Sequence, residues 1–379
     1  MYDATFANAT RGKLVEGPAG PMPEGASGGI PFPIPANGVE AMWNHLLRWR
    51  GVSWHASFNQ YLTTADGKHV LTNDSRSDLQ MPWYLPGGSG EKGVYWSLRM
   101  TNDGPPLRAG EAITGLENLN ADKASVWTYL PGQRRVRRLP NACCDTPTPA
   151  TAGVMSFDEL YVFNGRLDRF DWKLVGKKEM YIPYNANKVF TAANAEALLD
   201  PHHMNPADIR WELHRVWVVE ATLKNGQRHV MPRSTYYLDE DTWAAVLGER
   251  YDARNQLAKV VWTSPVVLPD LPGVVTLTNG FYDLLSGASR ATCSLARASS
   301  TASCRPTRTR CSPPTPWRAR VCAEGAHPAA VTTIRKKVAC DEEDSLRLAA
   351  GGLLRAAPGL VARGTAGCGS CRPASGLGG

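Results

Sequence analysis

Few residues of this 379-residue chain stand at spacings that chemistry would need. His202, His203 and Asp208 are metal-ligating types, but adjacent side chains on an irregular loop diverge and no further ligand follows at a recognisable interval. No metal is expected there. The stretch Gly87-Gly88-Ser89-Gly90-Glu91-Lys92 has the glycines of a phosphate loop, yet Gly93 follows where a magnesium-binding Ser or Thr would stand, so it reads as a hairpin loop. Cys143 and Cys144, as chain neighbours, do not bridge easily and read as an unreactive pair. Cys368 and Cys371 have redox spacing without a strand and helix to tune them. Arg134, Arg135, Arg137 and Arg138 follow Trp127-Thr128-Tyr129-Leu130 across a turn. Beside an anionic membrane each would contribute about 1 kcal/mol; the same charges would equally protect a solvated strand edge. There is no nucleophile with a placed base, no pair of carboxylates and no dinucleotide fingerprint. The chain is read as a non-enzyme without a cofactor, and a hydrolase built on His202 and His203 is the weakest reading.

The elements that would position a binding site are mostly strands. From Arg210 to Trp243 apolar residues fall on the odd positions Trp211, Leu213, Trp217, Val219, Ala221 and Leu223, with Glu212, His214, Glu220, Thr222 and Lys224 between them. A period of two is a strand with one apolar face. Asn225-Gly226 is suited to a type I′ turn, which would pair Ala221 with Val230 and Leu213 with Leu238 and set Glu220 diagonal to His229 and Arg233. Further strands are expected at Val52–Thr63, His69–Asn73 after a turn at Asp66-Gly67, Gly93–Thr101, Ser125–Leu139 bent at Pro131-Gly132, Phe170–Tyr184, Tyr251–Thr263 and Gly273–Leu285. Two helices interrupt them. Val39, Met42, Trp43, Leu46, Leu47 and Trp49 recur at three and four between the cap Asn37 and the stop Gly51, which predicts an amphipathic helix over Gly38–Arg50; a short one is expected over Ser156–Phe163. Strands joined by tight turns without βαβ alternation imply a mainly β fold, a large antiparallel sheet that must curl, close or be covered.

Residues 1–37 are turn-rich and read as an extended lead-in lying on the domain that spans 38–287. Beyond it the text changes. Residues 288–379 hold 14 basic against 5 acidic residues, so the net charge of +7 leaves −2 for the first 287, and seven of the nine cysteines fall in this last part. Too few large apolar side chains are present to offset the entropy of ordering. A disordered tail is expected, apart from a marginal helix near Asp341–Leu354, with only weak, salt-sensitive adhesion to polyanions and no specific nucleic-acid site. A chain ending at Gly287 should then fold as well as the whole. The N-terminus has no signal-peptide succession, and no run approaches the ~20 apolar residues of a membrane span.

Four blocks carry a resemblance: GGIPFPIPANGVEAMWNHLLRWRG (28–51), VWTYLPGQRRVRRLPN (126–141), DTPTPATAGVMSFDELYVFNGRLDRFDWKLVGKKEMYIPYN (145–185) and HRVWVVEATLKNGQRHVMPRSTYYLDEDTW (214–243). They resemble domain-of-unknown-function family 1329, grouped with outer-membrane lipoprotein-sorting proteins of the LolA/LolB type. The likeness covers about residues 1–287. It implies a periplasmic antiparallel half-barrel around a helix-plugged apolar cavity, in proteins many of which are encoded beside exporters of the resistance-nodulation-division class, an expected partner. Relatives begin earlier and end differently, so this chain is expected to start internally and to carry an out-of-frame tail after Gly287. The fold so implied suits a monomeric carrier of lipid or lipid-like cargo. A sixteen-carbon chain, at about 0.8 kcal/mol per methylene, represents over ~10 kcal/mol that an open surface cannot shelter. Met42, Trp43, Leu46, Trp127, Tyr129, Trp172, Trp211, Trp217 and Tyr236 are the candidate lining residues, and each could equally be core; the four arginines are candidates for a headgroup or partner. The alternative is a structural adaptor of an exporter complex that binds protein and no ligand.

Overall fold

The computed structural model describes residues 1–85, 93–140, 143–151, 153–269 and 271–294. The loop Gly87–Lys92, the pair Cys368 and Cys371, and everything after Ser294 lie outside the described residues.

The first 37 residues are more than an extended lead-in. They form helix α1 (Tyr2–Arg11) and a hairpin of β1 (Lys13–Gly17) and β2 (Gly20–Glu24). The buried Asn8 ties the helix to the chain beyond the hairpin, its amide donating to Ile30 O at 3.1 Å and its Oδ1 accepting from Ser27 N at 3.2 Å. Gly20 and Gly25, both at positive φ, supply the turns that let this glycine-rich stretch fold back on itself. Ile30 and Phe32 then enter the main core, so the segment does lie on the domain.

Helix α2 (Gly38–Leu47) precedes a meander of six strands: β3 (Ser53–Thr63), β4 (His69–Gln80), β5 (Val94–Gly104), β6 (Ala112–Asn118), β7 (Ser125–Leu130) and β8 (Arg135–Leu139). A long connection over 140–169 holds a 3₁₀ turn, Phe157–Glu159, in place of the expected helix, because Tyr161 and Val162 both take positive φ. A second meander follows: β9 (Phe170–Pro183), a one-turn helix α3 (Asn187–Phe190), β10 (Trp211–Leu223), β11 (Arg233–Asp239), β12 (Ala245–Tyr251), β13 (Leu257–Leu268) and β14 (Gly273–Asp283). Strand β15 (Ser289–Cys293) joins the two. The sheet order is β8-β7-β6-β5-β4-β3-β15-β14-β13-β12-β11-β10-β9, antiparallel throughout and not closed. The sheet domain therefore extends past Gly287, and five residues expected in the tail form its seam, all of them buried.

The sheet must be strongly curled. Trp43 of α2 meets Tyr95 of β5 edge to face at 6.0 Å between ring centroids, and Gly38 of the same helix lies against the backbone of Trp172 in β9. A ten-residue helix is about 15 Å long. In a flat sheet β5 and β9 would stand about 40 Å apart at the usual strand spacing. A helix reaches both only if the sheet wraps around it.

The β10–β11 connection differs from the two-residue turn expected. Lys224 O accepts from Gln227 N at 3.1 Å, but only Gly226 of the Asn225-Gly226 pair has positive φ (+80°), a type II arrangement. The strands resume pairing at Thr222 with Arg233, so Ala221 opposes Ser234, Trp217 opposes Leu238 and Glu220 opposes Thr235. Residues 224–232 form a longer loop because His229 turns inward to Asp158, a partner 71 residues away. The requirement for glycine survives this change. Gly226→Val should lower stability by about 1 to 3 kcal/mol, as a β-branched residue is forced to positive φ; an unchanged urea midpoint would contradict the turn geometry.

Candidate functional site

Helix α2 begins at the expected cap. Asn37 Oδ1 accepts from Glu40 N at 3.0 Å, and Glu40 Oε2 reaches back to Ala36 N at 2.7 Å. It stops at Leu47, and from Ala41 onward every residue is buried, so that no polar face is presented to water. Ala41, Met42, Trp43, Leu46 and Leu47 face the apolar cluster, while Asn44 and His45 are equally buried. Asn44 exchanges two hydrogen bonds with the backbone of Phe32, at 2.9 and 2.6 Å. His45 bolts the helix to the sheet: its Nδ1 accepts from Ala245 N at 2.8 Å and from Arg48 Nη1 at 3.3 Å, which leaves Nε2 to donate to Phe163 O at 2.9 Å. Burial, then the neighbouring Arg48 charge, hold its pKa well below the ordinary imidazole range, so the ring is neutral. Gly38 permits the close seat on β9, since a Cβ there would lie 2.8 Å from Trp172 C and 2.9 Å from Lys173 N.

Six of the nine candidate lining residues meet around this helix. Met42, Trp43, Leu46 and Tyr236 belong to the main cluster, and Trp172 and Trp217 pack against it. Trp172 stands edge to face with Phe163 and close to Tyr236, and Trp217 stacks on Trp243 at 5.8 Å. The other three are elsewhere. Trp127 pairs with Thr114 and Arg138, and Thr114 pairs with Arg99, which is salt-bridged to Asp78. Trp127 and Tyr129 thus lie on the polar outer face, and Val126 shares the inner face with Gly115 and Leu98. Trp211 is 46% exposed, beside the exposed Leu213 and Tyr181. The odd face of β10 is buried only from Trp217 onward; below it Val216 turns to a separate cluster with Ile182, Tyr237 and Val246. The four arginines are exposed on or beside β8, an edge strand, with Arg135 and Arg137 on one face and Arg138 on the other.

The interior also holds charges that periodicity did not mark. Asp158 Oδ2 accepts from Arg250 Nη1 at 2.8 Å and contacts His229 Nε2 at 3.1 Å; Glu159 pairs with Lys259 at 3.0 Å and accepts from Ser156 N at 3.0 Å. Lys259 Nζ also donates to Val154 O at 2.7 Å. Burial by itself would raise the Asp158 carboxyl, but Arg250 and His229 outweigh it and hold it far below the usual carboxylate range. These bonds pin the connection over 154–162 onto β12 and β13, across the hollow of the sheet. On β6, Glu117 is half-buried with Asn164 nearby at 3.5 Å, and desolvation pushes its pKa up to about 7. One signal for this network does exist in the sequence: Lys259 is a charged residue placed among the apolar positions of β13.

One cleft beside the helix is small. Lined by Trp43, Leu46, Tyr95, Glu117 and Leu167, it encloses ≈ 20 Å³, room for about one water. With α2 seated, an acyl chain has no place there. The suspected metal residues do not converge, for Asp208 is held by Lys188 at 2.9 Å and His203 lies 3.6 Å from Asp200. His214, Asp239 and Asp241 come closer together, but Asp239 already accepts from Thr242 N and Oγ1 at 3.1 and 2.6 Å. Cys143 and Cys144, expected to stay apart, are joined in a disulfide within a turn.

The family model described as protein of unknown function (DUF1329) matches residues 1–309. The chain belongs to the DUF1329 family. An uncharacterized protein of Pseudomonas aeruginosa is 39% identical over 295 residues, 76% of this chain and 64% of that protein, so the chain spans a little under two thirds of that relative's length. Among solved structures, an outer membrane lipoprotein-sorting protein domain from Vibrio parahaemolyticus is similar at 15% identity and a TM-score of 0.48, over 68% of this chain and 89% of that one. A DUF1329 protein of Desulfovibrio piger gives 13% and 0.44, over 64% and 84%, and a LolA-superfamily protein of Nitrosomonas europaea 10% and 0.40, over 69% and 95%. The DUF1329 match continues past Gly287 and so includes β15, in agreement with the strand's place at the seam. Among the described residues of this DUF1329 chain, no helix is long and apolar enough to cross a membrane.

Proposed function

We propose that this DUF1329 protein is a periplasmic, non-enzymatic carrier that shelters a lipid or lipid-like chain in the hollow now filled by α2. The observation that carries this reading is the arrangement of the helix itself. An open sheet curls around one ten-residue segment whose buried Met42, Trp43, Leu46 and Leu47 occupy the volume an acyl chain would take. An open sheet with two free edges can spread without breaking a ladder, whereas a closed barrel cannot. Displacing α2 exposes the aromatic wall of Trp172, Trp217 and Tyr236, and a bound chain covers it again. Work with an exporter of the resistance-nodulation-division class is part of the same proposal.

A photoactivatable fatty acid tests it. Cross-links should map to α2 and to the inner faces of β9, β10 and β11, and not to Trp127 or Tyr129. Labelling confined to the outer face, or no greater than in urea-unfolded protein, would refute the carrier. A second reading, an adaptor that binds protein without ligand, is favoured by the exposed apolar group Tyr181, Trp211 and Leu213 on the β9–β10 edge. It expects Trp211→Ser to abolish partner capture and leave fatty-acid labelling unchanged.

A further inference from the structure

Just past α2, and on the seam strand opposite, the interior holds positive charge that no carboxylate among the described residues contacts. Arg48, Arg50 and Arg290 are 2%, 4% and 3% exposed. Their hydrogen bonds go only to neutral groups. Arg48 donates to His45 O at 2.6 Å, His45 Nδ1 at 3.3 Å and Thr276 Oγ1 at 3.3 Å; Arg50 donates to Leu46 O at 3.1 Å and Arg290 to Asn279 Oδ1 at 3.2 Å. Among the described residues no carboxylate pairs with any of the three. The nearest acids act from a distance, and one of them, Glu159, is already taken by Lys259.

The three side chains share one region. The Arg50 guanidinium sits 5.5 Å from the Tyr161 ring and 5.9 Å from that of Trp96, and Arg48, Arg50 and Arg290 all act electrostatically on Tyr161. Burial, and after it the like charge of Arg50, lowers the pKa of Arg48. Several donors here point at nothing: the Nε atoms of Arg50 and Arg290, Trp96 Nε1 and Thr292 Oγ1. Tyr161 and Val162 are held at φ of 54° and 74° beside them, and a β-branched residue rarely adopts such a conformation.

Folded proteins pair buried charges or neutralise them, and a guanidinium cannot be neutralised by losing its proton in the ordinary range. Three arginines without a carboxylate partner, two of them with an idle Nε–H, are the donor set that binds a phosphate-type oxyanion through charge-assisted bonds. We propose that Arg48, Arg50 and Arg290 form the site for the phosphate of an anionic amphiphile whose apolar part lies where α2 now sits. The apolar half of this statement rests on the carrier reading; the anion site does not. The site also connects with the helix. Arg48 donates to the same His45 Nδ1 that accepts from Ala245 N and so lies against the bolt that holds α2 to the sheet.

The test uses the full chain with three probes: dioctanoyl phosphatidic acid, dioctanoylglycerol and inorganic phosphate, read by native mass spectrometry and by melting temperature. Phosphatidic acid should bind roughly tenfold tighter than the glyceride or better. Arg290→Gln and, separately, Arg48→Gln should collapse that ratio to near one, while the ligand-free variants melt no lower than the parent, because an uncompensated buried charge has been removed. Equal binding of the two amphiphiles by the parent, or a ratio that survives both substitutions, would overturn the site. Protection by inorganic phosphate that equals phosphatidic acid supports the arginine site and assigns it to a free anion. Phosphate binding without binding of either amphiphile removes the carrier reading and leaves the site standing, and binding of no probe removes both.

Discussion

A chain ended at Gly287 should lose its cooperative fold, whereas one ended at Ser294 keeps every strand of the sheet. The seven residues between these ends include β15, which pairs with β14 at four positions from Tyr282–Ser289 to Asn279–Thr292 and with β3 at five from Thr63–Ser289 to Asn59–Cys293. Without it the sheet parts into β3–β8 and β9–β14, and each is left with a bare edge in its middle. Each ladder bond contributes about 1 kcal/mol net, and the orphaned N–H and C=O groups of β14 and β3 cost more where they stay buried. The burial of Ala291 and Cys293 beside Tyr61 and Trp262 is lost as well. The sum is comparable to the ~5 to 15 kcal/mol that a domain has in total. Thermal unfolding followed by circular dichroism decides it. Equal, sharp transitions for the two chains would return the domain boundary to Gly287.

The second large effect concerns the buried ion network. Arg250→Met leaves Asp158 in the core without its principal partner and should lower stability by about 3 to 5 kcal/mol at pH 7, and Asp158→Asn by a similar amount. The double replacement should be milder than the sum, since no lone charge then remains. The acid limb carries a further signature. Asp158 has a folded pKa below its unfolded one, so its stabilising contribution is complete above about pH 4, its unfolded range, and fades as pH falls through that range toward the folded value. Glu117 works the other way. Its folded pKa near 7 lies above its unfolded value, so its contribution is present below about pH 4.5 and is lost as pH rises through 7. The buried neutral His45 opposes Glu117, because its depressed pKa weakens the fold as pH falls below the ordinary imidazole range, so urea midpoints across pH 3 to 9 should form a plateau between about pH 5 and 7 and fall below it. Arg250→Met should flatten the acid limb and leave the alkaline one unchanged. An acid limb as steep in the variant as in the parent would show that Asp158 draws its low pKa from elsewhere.

Much of the architecture is legible in the residues alone. Alternation in Arg210–Trp243, the Asp66-Gly67 and Pro131-Gly132 turns, and the Asn37 cap each rest on short-range physics: the pleat, the φ that a turn demands, the orphan donors of a helix start. Such signals sit within a few residues of one another, and the chain states them directly. The family blocks add the sheet class and the plugging helix, both of which stand.

What the chain could not state depends on partners far along it. Ser289–Cys293 is short, small and polar, with no propensity that marks a strand; it becomes one because β14 and β3 present two open ladders with a strand's width between them. Trp127 looks like lining by its type, yet the register of six strands places its face outward, and register is a property of the whole sheet. Arg250 and Asp158 are 92 residues apart, and Lys259 and Glu159 are 100. Their burial is stable only as pairs, and even where a charge stands out on an apolar strand, as Lys259 does, it does not say which distant residue is its partner. The same holds for Arg48, Arg50 and Arg290: in sequence they are ordinary surface types, and only the fold, by curling the sheet around α2, brings the three charges into one dry place. Sequence determined helix α2 and most of the long strands, because local chemistry suffices to specify them; tertiary structure decided the N-terminal elements, the faces, the seam strand and the buried charges, because each of these is settled by what lies opposite.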